Sequence, residues 1–147
     1  MKIHNFKFRI YYKDTDASGI AYHANYLAYA ERARSEWFNE ARLPITDLLA
    51  RGDAFVICHA DIEYKRPAPL NAIVTIKTSV VEIRAASCVS EQTFWIGDQH
   101  IATVHVEAVS VDAHTLRPKR IPADIRILYE KYLHERPKKI ESINKNC

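Results

Sequence analysis

An α+β domain, with one antiparallel sheet covering a single long helix, is what the apolar patterning of this chain predicts. Three observations carry the prediction. Apolar residues alternate with charged ones near the start, they recur at helical spacing between residues 24 and 42, and four β-rich runs then follow one another after Gly52. At 147 residues and 48% hydrophobic content the chain suits one domain with a full core, placed at residues 1–134.

Phe6, Phe8, Ile10 and Tyr12 alternate with Lys7, Arg9 and Tyr11, the period of a strand with one buried face. This pattern sends Tyr12 to the core side. A helix from about Ala24 to Arg42 follows, with Tyr26, Ala30, Ala33, Trp37 and Ala41 on its inner face. The small Ala30 and Ala33 let a sheet approach closely there. Pro44 and Gly52 bracket a short helical turn at Ile45 to Ala50. Val56, Cys58, Ala60, Ile62 and Tyr64 read as the apolar side of the next strand, which Arg66-Pro67-Ala68-Pro69 closes. Strands at Ala72 to Arg84, Ser87 to Ile96 and Ile101 to Asp112 complete the sheet. In the first of these three the apolar phase shifts after Val80, which predicts a bulge, and Gly97-Asp98 is the turn between the last two. Ala123 to His134 reads as a terminal helix, and residues 135–147, poor in apolar side chains, as a disordered tail. Such a sheet keeps an exposed edge, a natural place for two subunits to pair.

The formal charge is +3, but the segment 135–147 carries four Lys/Arg against two Glu, leaving about +1 on the rest. Nucleic-acid binding calls for a concentrated basic face, and here the basic residues are scattered. Cys58, Cys88 and Cys147 are an odd set with no C-x-x-C spacing, which argues against both a disulfide framework and a zinc site. The first twenty residues lack a signal-peptide stretch, and no span approaches the ~20 apolar residues of a membrane helix. These features point to a cytoplasmic protein with no membrane insertion.

The chemistry concentrates in Tyr11 to Tyr26, YYKDTDASGIAYHANY. Asp14 and Asp16 sit in a Ser18-Gly19 turn just upstream of His23 and the long helix. The opening amides of a helix have no internal partners and attract an oxygen that becomes negative during a reaction. A carboxylate beside them can attack a carbonyl or activate water, which makes the segment a candidate acyl-transfer site. Asp14 reads as a structural turn acid, and Asp16 as the chemical one.

The stretch Tyr11 to Trp37 resembles the hotdog-fold acyl-CoA thioesterases, in particular the Tol-Pal-associated (YbgC-like) group related to 4-hydroxybenzoyl-CoA thioesterase. The match runs through Asp14-Thr15-Asp16, Gly19, Tyr22-His23, Asn25-Tyr26 and Glu31-Arg32-Ala33-Arg34, and more weakly over Phe6 to Leu133, including Tyr64-Lys65-Arg66-Pro67-Ala68. Ser18 and Ala21 depart from the family's usual residues. The resemblance implies a sheet wrapped around a central helix, a homodimer or homotetramer joined edge to edge, and a site shared between subunits. It implies hydrolysis of an acyl-CoA with Asp16 as the catalytic carboxylate and the amide at His23 as oxyanion donor, the His23 side chain and Tyr12 taking part. No metal or redox cofactor is implied. Coenzyme A phosphates need cations, for which Arg84, Lys119 and Arg120 at strand ends are the candidates. An acyl carrier protein is a second potential carrier. Two rival activities remain at this point: a hotdog enoyl-CoA hydratase, and a non-catalytic acyl-carrier or envelope-complex partner.

Overall fold

The computed structural model describes residues 2–134, so the expectation of a disordered tail at 135–147 lies outside the described residues. Five antiparallel strands, β1 (His4–Arg9), β2 (Asp53–Tyr64), β3 (Ile73–Ile83), β4 (Ser87–Ile96) and β5 (Gln99–Asp112), form one sheet in the order β1-β3-β4-β5-β2. The connection between the two edge strands carries the long helix α1 (Tyr26–Glu40) and the short α2 (Ile45–Ala50). The last helix is α3 (Ala123–Lys131).

Six side chains of α1 are buried: Tyr26, Tyr29, Ala30, Ala33, Trp37 and Phe38. They recur at three- and four-residue spacing and divide the core in two. The first half of the helix packs with Ile76, Phe94, Val104 and Val106 of the sheet, and the second half with Leu48, Val80, Ile125 and Tyr129. At Ala30 the approach is close enough for a sheet side chain to bond the helix backbone. The fully buried Gln92 donates through Nε2 to the Ala30 carbonyl at 2.8 Å and to Thr78 Oγ1 at 3.2 Å. Ala41, expected on the inner face, is only half-buried because α1 ends at Glu40.

The expectation that Tyr12 faces the core fails. Alternation holds through Ile10, which is fully buried, but β1 stops at Arg9 and a 3-10 turn at Tyr12–Asp14 resets the side-chain direction. Tyr12 is 84% exposed.

The predicted bulge in β3 is present, with the register shifting between Val80 and Glu82. A second bulge, not expected, interrupts β2 between Ile57 and His59. It breaks the simple alternation assigned to that strand. Ile62 still packs on the core, whereas Val56 and Ile57 are each 43% exposed. Among the described residues, β2 pairs with β5 alone and its other edge carries no strand.

Candidate active site

The loop between β1 and α1 is pinned to the helix start by Asp14. Its carboxylate, only 7% exposed, accepts the Tyr11 N–H at 2.8 Å. Its carbonyl accepts both the Tyr22 N–H at 2.8 Å and Asn25 Nδ2 at 3.0 Å. Tyr29 packs alongside, and burial, reinforced by the Asp14 charge, pushes its phenol up to about 12. Bridges from Thr15 to Ala21 and from Ile20 to Pro69 close the loop over the end of the sheet. Asp14 thus ties the loop together through both its carboxylate and its carbonyl.

Asp16 lies at the tip of this loop, exposed. Its Oδ1 accepts the Ser18 N–H at 2.8 Å and the Ser18 hydroxyl. The hydroxyl first, then the amide, and more weakly the nearby His23, hold the carboxyl below the usual carboxylate range. Gly19, at φ +80°, makes the reversal that an ordinary side chain would resist. His23 opens a 3-10 turn, His23–Asn25, that runs directly into α1. Asn25 N–H bonds back to the Tyr22 carbonyl at 3.0 Å, whereas the amides of His23 and Ala24 find no acceptor among the described residues. A carboxylate and two open amides therefore belong to one rigidly tied loop-and-turn unit. Neither of the two cavities bordered by Trp37 includes Asp16, His23 or Tyr12.

Tyr64, at the end of β2, is a residue to which the sequence assigned no role. Its hydroxyl donates to the His23 carbonyl at 2.7 Å, and its ring stands edge-on to those of His23 and Tyr26. The bond fixes the peptide plane next to the open amides. Tyr64→Phe keeps the ring and removes that tie, and is expected to cost about 0.5–1.5 kcal/mol of stability. Turnover should fall by roughly tenfold with little change in KM, a split that steady-state kinetics beside a thermal melt will show.

The basic candidates are distributed differently. Arg84 is engaged by Glu82 at 2.7 Å and by the buried Glu107 at 3.6 Å. Lys119 pairs with Asp53 and donates to the Gly52 carbonyl. Burial pushes the Asp53 carboxyl up, but Lys119 and Arg51 outweigh it and the net shift is downward. Arg120 is exposed. Asp53 and Tyr64 are the two ends of β2, roughly 35 Å apart at ordinary strand rise. Lys119 consequently sits far from the His23 turn of its own chain.

A sequence profile of the thioesterase-like superfamily matches residues 11–127, a span that takes in the pinned loop, the long helix and strands β2 to β5. The chain belongs to the thioesterase-like superfamily. The acyl-CoA thioester hydrolase YbgC of Escherichia coli O6:H1 is 35% identical over 118 residues, covering 80% of this chain and 88% of that protein. The acyl-CoA thioesterase YbgC of Haemophilus influenzae is 31% identical over 126 residues, 85% and 93% of the two chains. The crystal structure of a probable thioesterase from Bartonella henselae superposes with a TM-score of 0.77 at 36% identity, over 82% of this chain and 100% of that one. The sheet wrapped around α1 is the hotdog fold that the resemblance implied. In this thioesterase-like domain the Asp14-to-His23 segment joins the outer edge strand β1 to the helix it surrounds, so its position follows from the fold itself.

Proposed function

We propose that this domain hydrolyses an acyl-CoA thioester to a free acid and coenzyme A. The observation that carries the reading is the exposed Asp16 carboxylate on the same tied unit as the unpartnered amides of His23 and Ala24. Under this reading the thioester oxygen accepts those amides. Asp16 attacks the carbonyl carbon, the C–S bond breaks, and the thiolate leaves and takes a proton. Water then hydrolyses the acyl-aspartyl anhydride, returning the carboxylate. If Asp16 instead removes a proton from water, the same geometry serves and the water oxygen enters the acid directly. The test is thiol release from an acyl-CoA panel by the purified chain, alongside enoyl-CoA hydration and acyl carrier protein substrates. Thiol release without hydration supports the proposal, and hydration without thiol release refutes it.

One chain leaves Asp16 open to solvent, and an acyl-transfer site works best with water excluded. A second copy supplies the missing wall if the free edges of β2 pair about a two-fold axis. Antiparallel pairing sets the Asp53 end of one β2 against the Tyr64 end of the other. It thereby brings Lys119 of the second copy towards the His23 turn of the first. The apolar Val56 and Ile57 on that edge are suited to burial there. Val56→Lys places like charges across the axis. It is expected to shift the protein from dimer to monomer at micromolar concentration in light scattering, and to reduce turnover in parallel.

A further inference from the structure

An apolar cavity lies away from the Asp16 loop. It has a volume of about 270 Å³ and lies beneath the second half of α1, walled by Trp37, Phe38, Leu48, Phe55 and Ile57. That space equals the liquid share of roughly nine waters, room for a chain segment of comparable size. Arg34 and Tyr129 are among the polar side chains of its lining, which also holds Glu31, Ser35, Asp53 and Ser90. Arg34 reaches the wall and donates through Nη1 to Gln92 Oε1 at 2.9 Å. Gln92 is itself locked by its bonds to Ala30 and Thr78, so it holds the guanidinium in place. Among the described residues Arg34 makes no ion pair, and its other donors find no hydrogen-bond acceptor. Tyr129, 4% exposed, lines the same cavity with a hydroxyl that also lacks a hydrogen bond among the described residues.

A cation and a phenol, both with unused donors inside an apolar cavity, form a receptor for a carboxylate. Guanidinium binds carboxylate bidentately, and the surrounding apolar walls strengthen the contact. The acids that also line the cavity do not fill this role. Glu31 is exposed and accepts the Ser35 hydroxyl at 2.9 Å, while Asp53 is held by Arg51 and Lys119. Desolvation lowers the Arg34 pKa, opposed by Glu31 and Tyr129, yet an arginine remains cationic at neutral pH. From the His23 amide to Arg34 the helix advances about 16 Å, and the side chain leans back towards the helix start.

We propose that this cavity receives the far end of the acyl group and that Arg34, with Tyr129, selects acyl chains ending in a carboxylate. The substrates so chosen are mono-CoA thioesters of medium-chain dicarboxylic acids. This deepens the thioesterase reading and rests on it for catalysis, but ligand binding in the cavity can be read separately.

The experiment compares adipyl-, suberyl- and sebacyl-CoA with hexanoyl-, octanoyl- and decanoyl-CoA by kcat/KM. In parallel, binding of the free diacids and matched monoacids is followed by quenching of Trp37 fluorescence in a Trp95→Phe background. The expected result is at least a tenfold preference for the carboxylate-ended member of one matched pair, in hydrolysis and in binding. Arg34→Met should reduce that ratio to near one, and Arg34→Lys should restore part of it. Tyr129→Phe should lower the ratio severalfold, and serves as the second arm if Arg34→Met does not fold. Tighter binding and faster hydrolysis of the monoacid series, or a ratio unmoved in the folded variants, overturns the proposal. Diacid-selective binding without any thioester hydrolysis overturns the thioesterase reading and leaves the receptor standing.

Discussion

Asp16→Asn is expected to lower kcat for acyl-CoA hydrolysis by at least about a thousandfold, the scale seen when a nucleophile or its base is removed. Folding should be untouched. Asp16 is exposed, and its structural duty is to accept the Ser18 N–H and hydroxyl at one oxygen. An asparagine amide oxygen accepts the same two bonds, so the turn survives and the melting temperature should move by no more than about 1 °C. Charge is what the substitution removes, and an amide neither attacks a thioester nor deprotonates water. The pH profile of the unmodified protein gives a second reading of the same group. Because Ser18 and His23 depress its pKa in the folded chain, the ionised form is the favoured one. Activity that needs it is present at and above the ordinary carboxylate range, and is lost only as pH falls through the depressed value. Near-normal hydrolysis by folded Asp16→Asn protein would refute the assignment.

Much of the fold was legible because it is written in local patterns. The strand at Ser87–Ile96, the Gly97-Asp98 turn, the short helix at Ile45–Ala50 and the β3 bulge after Val80 all coincide with expectation. Each depends on residues adjacent in sequence. Tyr12 did not follow its pattern, since alternation cannot reveal where a 3-10 turn ends it. Nor could it foresee the β2 bulge, which depends on pairing with β5. Tyr29 and Phe38 widen the buried stripe of α1 beyond the narrow face assigned to it, as α3 and the sheet enclose more than one side.

The loop carrying Asp16 was legible as a turn before a helix. Its closure was not, because Tyr64 and Pro69 come from distant parts of the chain. The same limit hid the fates of the basic residues: Lys119 and Arg84 meet Asp53 and Glu107, partners that no spacing announces. Arg34 was visible as part of the Glu31-Arg32-Ala33-Arg34 run, but only the fold puts it in a cavity wall beside Tyr129.

Asp14→Ala should produce the opposite profile to Asp16→Asn, with lower stability as well as lower activity. The substitution leaves the main-chain carbonyl that holds Tyr22 and Asn25, and deletes the acceptor of the Tyr11 N–H in a nearly buried site. Losing that partner costs about 1–3 kcal/mol, a drop of several degrees in melting temperature for a domain of this size. The freed Tyr11–Asp14 turn then no longer fixes Asp16 against the helix start, and a displacement of about 1 Å is enough to reduce turnover roughly a hundredfold. Asp14→Asn separates position from charge, since its amide oxygen still accepts the Tyr11 N–H. Most of the stability and activity should return with it, as measured by thermal melts and kcat on one substrate. A folded Asp14→Asn protein as inactive as Asp16→Asn would instead move the chemistry to the first acid of the pair, leaving Asp16 as the cap of its own turn.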